Sequence, residues 1–210
     1  MRAVFCLLLA SAAGLFGAGN AKITYSKSFP HSAPEYVEIS VDQQGRADYK
    51  EAPDDTSPLT FQLNEKETAE VFALAEKLGR FTRPLESNLK VAFTGEKKLR
   101  WEDGADKHEV AFNYSLDPAA QQIWDWFERA TESELCRAGL ERAVKFDKLG
   151  VNQALLVLDI SRERNRLIAP EQFLPLLDRI VKNESYLHMA RERAAHIADS
   201  IRNPKPAASP

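Results

Sequence analysis

The sequence predicts an α+β fold: an antiparallel sheet of about six strands in two β-β-β-α units with helices on one face, followed by a C-terminal region of three or four helices. Three observations predict it. Apolar and polar residues alternate in several short runs before residue 116, the apolar spacing changes to that of a helix once within that stretch and again just after it, and beyond residue 131 no alternating run occurs. Strands joined by tight turns pair antiparallel, and such a sheet keeps one face wet while helices cover the other.

The chain opens with Arg2, an uncharged apolar run from about residue 3 to 18, and small residues ending at Ala21. That is the three-part pattern of a secretory signal over residues 1–21, with cleavage expected before Lys22. The run is shorter than the roughly 20 apolar residues a spanning helix needs, and no later segment approaches that length. The expected location is therefore exported, periplasmic or extracellular. Cys6 would leave with the signal, so Cys136 stays alone, expected to be a buried and inert thiol, and the fold must be held by its own core.

Residues 36–41 alternate, with Val37, Ile39 and Val41 on one side; the DQQG turn and the returning run 46–52 complete a hairpin. After the turn chemistry of PDDTSP, Leu59, Phe61 and Leu63 alternate again. Asn64 with Glu67 three residues later reads as a capping box, Val71, Leu74, Ala75 and Leu78 form a helical stripe, and Gly79 ends it. The second unit repeats the order with strands expected over 89–94, 98–102 and 108–115. Asp117 then caps a helix that Pro118 opens, with Ile123, Phe127 and Ala130 on its apolar face.

A sheet domain is thus expected over 22–131 and a helical region over 132–202, packed on it or forming a small bundle. The boundary disappears if the helix from Pro118 runs on without a break. The helical segments are expected over 134–150, 151–166, 169–183 and 184–203. Pro170 suits a first turn, and Pro175 delays or bends that helix. Residues 203–210 read as a disordered tail.

Without the signal the chain carries 27 basic and 31 acidic residues, net −4, which is not the balance of a nucleic-acid binder. The charge is uneven, about −6 over residues 22–131 and +2 over 132–210. Opposed halves favour docking on each other or selection of a partner.

No phosphate-binding loop, dinucleotide fingerprint, nucleophile elbow, paired C-x-x-C or calcium-binding loop occurs. His188, Glu192 and His196 lie four apart, but the two histidines are then roughly 12 Å apart along a helix, too far to share one ion. This is a solvated helix face, the apolar stripe running through Leu187, Ala190, Ala194, Ile197 and Ile201. His108 to Phe112 begins like a zinc-protease motif, yet Phe112 stands where the second histidine belongs. His31 reads as a loop residue. No metal site and no cofactor are expected.

Two groups remain as candidate binding residues. Arg162, Arg164 and Arg166 suit a carboxylate or phosphate partner if their segment is extended, or simply a helix C-terminus if it is not. Trp124 and Trp126, with Phe127 and Trp101, form the richest aromatic group; the two tryptophans lie about 200° apart around a helix and cannot both face the sheet. Asn113 and Asn183 each begin a glycosylation sequon. The expected function is an exported, non-enzymatic interaction module that binds another exported or envelope protein. The alternatives are a carboxylate hydrolase, with Glu86, Glu102 and Asp103 as possible members, and a carrier of a small ligand on the aromatic surface.

Overall fold

A computed structural model describes residues 21–204. Residues 1–20 of the expected signal segment and the last six residues of the expected tail lie outside the described residues, while Ala21, the last residue of that segment, is buried in the sheet core. Six strands form one antiparallel sheet in the order β4-β3-β2-β1-β5-β6: β1 Lys22–Ser28, β2 Tyr36–Asp42, β3 Arg46–Lys50, β4 Leu59–Gln62, β5 Glu96–Asp103 and β6 Asp106–Phe112. Five α-helices complete the fold among the described residues: α1 Glu65–Lys77, α2 Pro118–Phe146, α3 Val151–Glu163, α4 Leu174–Lys182 and α5 His188–Arg202. The expected α+β class with a helical C-terminal region is what the chain adopts.

The strands divide four and two about α1, not three and three. Segment 89–94 belongs to no strand, while residues 22–28, which the sequence reading left unassigned, form a central one. β1 carries just two apolar residues, Ile23 and Tyr25, yet both are fully buried between β2 and β5. A centre strand needs few apolar side chains of its own when its neighbours supply the rest of the covered face.

The register puts Ile23, Tyr25 and Lys27 of β1 in line with Val41, Ile39 and Val37 of β2 and with Trp101, Leu99 and Lys97 of β5. This face carries α1 and the first half of α2. The opposite face holds Thr24, Ser26, Glu38, Ser40, Asp48, Lys50, Lys98, Arg100 and Glu109 in the alternate positions. Its charges pair with one another, as in Lys50–Glu38, Arg100–Glu109 and Lys107–Glu102. With no apolar patch, that face is solvated.

Helix boundaries follow their caps. Asn64 accepts from the Glu67 amide while the Glu67 carboxylate accepts from the Asn64 amide, closing the capping box; Asp117 accepts from Ala119 and Ala120 ahead of Pro118. Pro170 opens a short 3-10 turn, and Pro175 lies in the first turn of α4. α2 passes the 131/132 junction unbroken over its 29 residues. Its first half closes the sheet core with Ile123, Trp126, Phe127 and Ala130, and beyond it Leu140 joins Leu155, Leu177 and Ile197 in a second core among α2 to α5. No described helix is long and apolar enough to cross a membrane.

Candidate functional site

The two groups singled out in the sequence are separated by the fold. Arg162 donates from Nε and Nη2 to Asp159 at 3.0 and 2.7 Å, one turn back on its own helix. Arg164 is exposed at the end of α3, and Arg166 turns back onto α2, bonding Asp125 at 2.6 Å and Glu132 at 3.0 Å. The three guanidiniums do not converge, and two of them are neutralised within the chain. Trp126 is fully buried edge-on to Phe127, and Trp101 is buried against Phe72. Trp124 is half-buried beneath a lysine.

His188 and His196 are exposed on α5, and His188 sits 3.1 Å from Glu192. Leu187, placed by the sequence reading on the apolar stripe, precedes α5 and is exposed; the buried stripe starts at Ala190. Glu102 and Asp103 lie at the β5–β6 turn, and Glu102 is held below the ordinary carboxylate range by Lys107. Glu86 lies at the opposite end of the sheet, so the three carboxylates do not form a pair.

That opposite end, where β1 finishes and β5 begins, gathers the residues with the most unusual surroundings. Lys27 and Lys97 are direct cross-strand partners on the helix-covered face. Each charge has its own compensation. Glu128 of α2 accepts from Lys27 at 3.0 and 3.1 Å and from the Tyr25 hydroxyl at 2.7 Å. Those donors outweigh the cost of burial and hold the Glu128 carboxyl below its usual range. Burial and the nearby Glu128 charge push the Tyr25 phenol well up.

Lys97 is fully buried. Its ammonium donates to Thr94 Oγ1 at 3.0 Å, Gly95 O at 3.3 Å and Asn113 O at 2.7 Å, one acceptor for each N–H, and lies 4.5 Å from the centre of the Trp124 ring. Burial, helped by the Lys27 charge, pushes it down to about 8. Enclosed in this way, the amine ties the ends of the strands together through its three acceptors.

What it ties is a loop, residues 86–94. Asn113 staples the loop with both side-chain atoms: Oδ1 accepts from the Thr94 amide at 2.9 Å, and Nδ2 donates to Ala92 O at 3.1 Å. The Glu86 carboxylate accepts from the Asn113 amide at 2.6 Å and from the Ser87 amide at 2.9 Å, contacts that hold it below its ordinary value. A carboxylate so held is a poor general acid. Asn113, whose amide is committed on both atoms, is also a poor glycan acceptor in the folded chain.

Between these pins the loop turns its large side chains outward. Leu89, Val91 and Phe93 are 51%, 44% and 56% exposed. Phe93 meets Phe29 edge-on at 5.9 Å, and beside Phe29 opens a cleft of about 170 Å³ walled by Lys27, Pro34, Val37, Glu128 and Leu135. Gly95 makes the approach of the two segments possible: its φ is +101°, and a Cβ there would meet Phe29 Cβ at 3.1 Å and Ser28 O at 3.2 Å. The sequence signal for this site was the alternation of Leu89, Val91 and Phe93, which reads as a strand; the buried lysine escaped notice because the strand was taken to start at Lys98.

No protein-family model matches the chain, and no curated protein matches it in sequence.

Proposed function

We propose that the chain is an exported, non-enzymatic binding module that captures another exported or envelope protein at the end of the sheet formed by loop 86–94 and the Phe29 cleft. The observation that carries this reading is the pinned loop with Leu89, Val91 and Phe93 turned to solvent. A segment with strong strand preference, no strand partner among the described residues and three exposed large apolar side chains is costly to leave in water, and apolar patches mark contact sites. The self-neutralised open face of the sheet offers no comparable surface. The pins from Glu86, Asn113 and Lys97 reduce the ordering cost of binding, since the loop is already held in place.

The test is in-cell photo-crosslinking of the full chain with the photoreactive residue at position 91 or 93, and at position 100 on the open face as control. One partner captured from 91 and 93, absent at 100 and lost in the Leu89→Ser/Phe93→Ser variant, is the expected result. Equal labelling from all three positions, or no partner from 91 and 93, refutes the proposal. The serine variant keeps its fold because the replaced side chains are exposed, and circular dichroism checks this.

A further inference from the structure

A second surface lies at the other end of the sheet, independent of the loop site. A cleft of about 740 Å³ runs beside α1, with Leu63, Phe72 and Trp101 at its apolar floor and glutamines 43, 44 and 62 along one wall. Its lining has two charged residues, Glu65 and Glu76, both acidic. Glu65 pairs with no base among the described residues. Phe72 and Trp101 meet edge-on, centroids 5.9 Å apart and planes at 75°, forming an aromatic corner.

A cation already lies over the Trp101 ring. The Arg80 guanidinium is 5.1 Å from the centre of the Trp101 ring, with its Nε bonded to Glu76 at 2.9 Å. The contact is exposed, Arg80 and Glu76 being 46% and 51% accessible at their side chains, so it is weakly held and replaceable. Arg80 is delivered there by an unusual turn: Gly79, Arg80 and Phe81 all have positive φ, at 62°, 53° and 65°, and Phe81 is buried as the anchor. Left-handed backbone at two consecutive non-glycine residues is unfavourable and persists where the surroundings enforce it.

We propose that this cleft is a binding site for an organic cation on an apolar stem, the chemistry of an arginine or lysine side chain, and that Arg80 is an internal competitor for two of its lining groups, Trp101 and Glu76, which such a ligand displaces from them. The aromatic corner supplies the cation-π surface, Glu76 the counter-charge that Arg80 now uses, and Phe72 and Leu63 the contact for the stem. Glu65 and Glu76 are eleven residues apart on α1, roughly 16 Å along the axis, which leaves room for a second positive group on an extended chain. The same cation chemistry is available to a free small molecule or to a basic peptide.

The test follows the indole N–H resonance of Trp101 by NMR while the full chain is titrated with N-acetylarginine amide. A parallel titration uses an acetylated peptide carrying two arginines five positions apart. Removing the competitor should strengthen binding: Arg80→Ala is expected to bind either probe about 3- to 30-fold more tightly than the unaltered chain, the span of a cation-π contact. Phe72→Ala and Glu76→Gln in the Arg80→Ala background should each weaken it again. Peptide binding at least tenfold tighter than the single cation identifies a basic segment as the ligand, and equal affinity identifies a small cation. No movement of the Trp101 resonance in Arg80→Ala, or the same affinity with and without Arg80, overturns the proposal. Because the loop site is at the opposite end of the sheet, either can fail without the other.

Discussion

Lys97 and Glu134, both buried, make stability depend on pH with opposite signs. Lys97 is pushed down to about 8 from 10.5 by its enclosure. Its folded value lies below its unfolded one, so between those two pH values the unfolded chain binds more protons and stability rises with pH. Comparing urea unfolding at pH 7.5 and 9.5, the unaltered chain should gain at most about 2 kcal/mol relative to Lys97→Met, in which this slope is absent. Parallel curves for the two proteins would mean that the three acceptors around the ammonium cancel the cost of burial. Buried Tyr25 and Tyr49, both raised, oppose the trend only above pH 10. Glu134 has the opposite sign. It is fully buried, and although Arg137 approaches to 2.6 Å, desolvation outweighs that attraction and raises the carboxyl above 4.5. The folded chain therefore holds a proton that the unfolded chain has already released, and stability falls as pH rises from 4.5 through the folded value. Glu134→Gln should remove that fall, seen as a difference from the unaltered chain that grows as pH rises above 4.5.

At the scale of the element, α1 shows how one cap serves two purposes. Asn64→Ala removes the side-chain acceptor of the capping box and should lower stability by about 1 kcal/mol. Glu67 does more, because its other carboxylate oxygen accepts from the Ala169 amide at 2.8 Å, joining α1 to the segment before α4. Glu67→Ala leaves that amide without its partner and should cost about 2–3 kcal/mol in the same denaturation assay. A Glu67→Ala loss no larger than that of Asn64→Ala would mean that the amide finds another acceptor. Caps of this kind are local, and Asn64, Glu67, Asp117 and Pro118 were all legible in the sequence. So were β2, β3, β4, β5 and β6, whose apolar residues alternate between turn residues. β1 was not, because burial there is set by neighbours distant in sequence. Segment 89–94 misled for the complementary reason: Leu89, Val91 and Phe93 have a strand's alternation, but pairing requires a free edge in reach, and Asn113 and Glu86 hold the segment beyond the end of β6. The candidate site was readable as apolar residues and unreadable as a site, since the staple that makes it depends on contacts across 19 to 27 positions.

The whole molecule raises the question of whether its two cores behave as one. α2 enters both, and the seam between them is crossed at several separate points. Ile168 and Ala169, from the helical half of the chain, are buried in the sheet core. The Ile168 amide donates to Ser133 Oγ at 2.8 Å, Arg137 donates to Thr60 O of β4 at 3.2 Å, and Arg166 returns to Asp125 and Glu132 on α2. A cut after residue 131 would sever α2 in the middle and strip Ile168 and Ala169 from the sheet core. The sheet and the helices are therefore expected to unfold together in a single calorimetric transition. Ile39→Ala, in the sheet core, and Leu155→Ala, in the helical core, each create a cavity worth about 2–5 kcal/mol. At about 2–4 °C per kcal/mol for a chain of this size, each should lower one shared melting temperature by about 5–15 °C. If Leu155→Ala instead splits the transition, leaving a component at the original temperature, the cores are energetically separate. The proposed partner surface at loop 86–94 would then belong to a sheet domain able to fold without its helices.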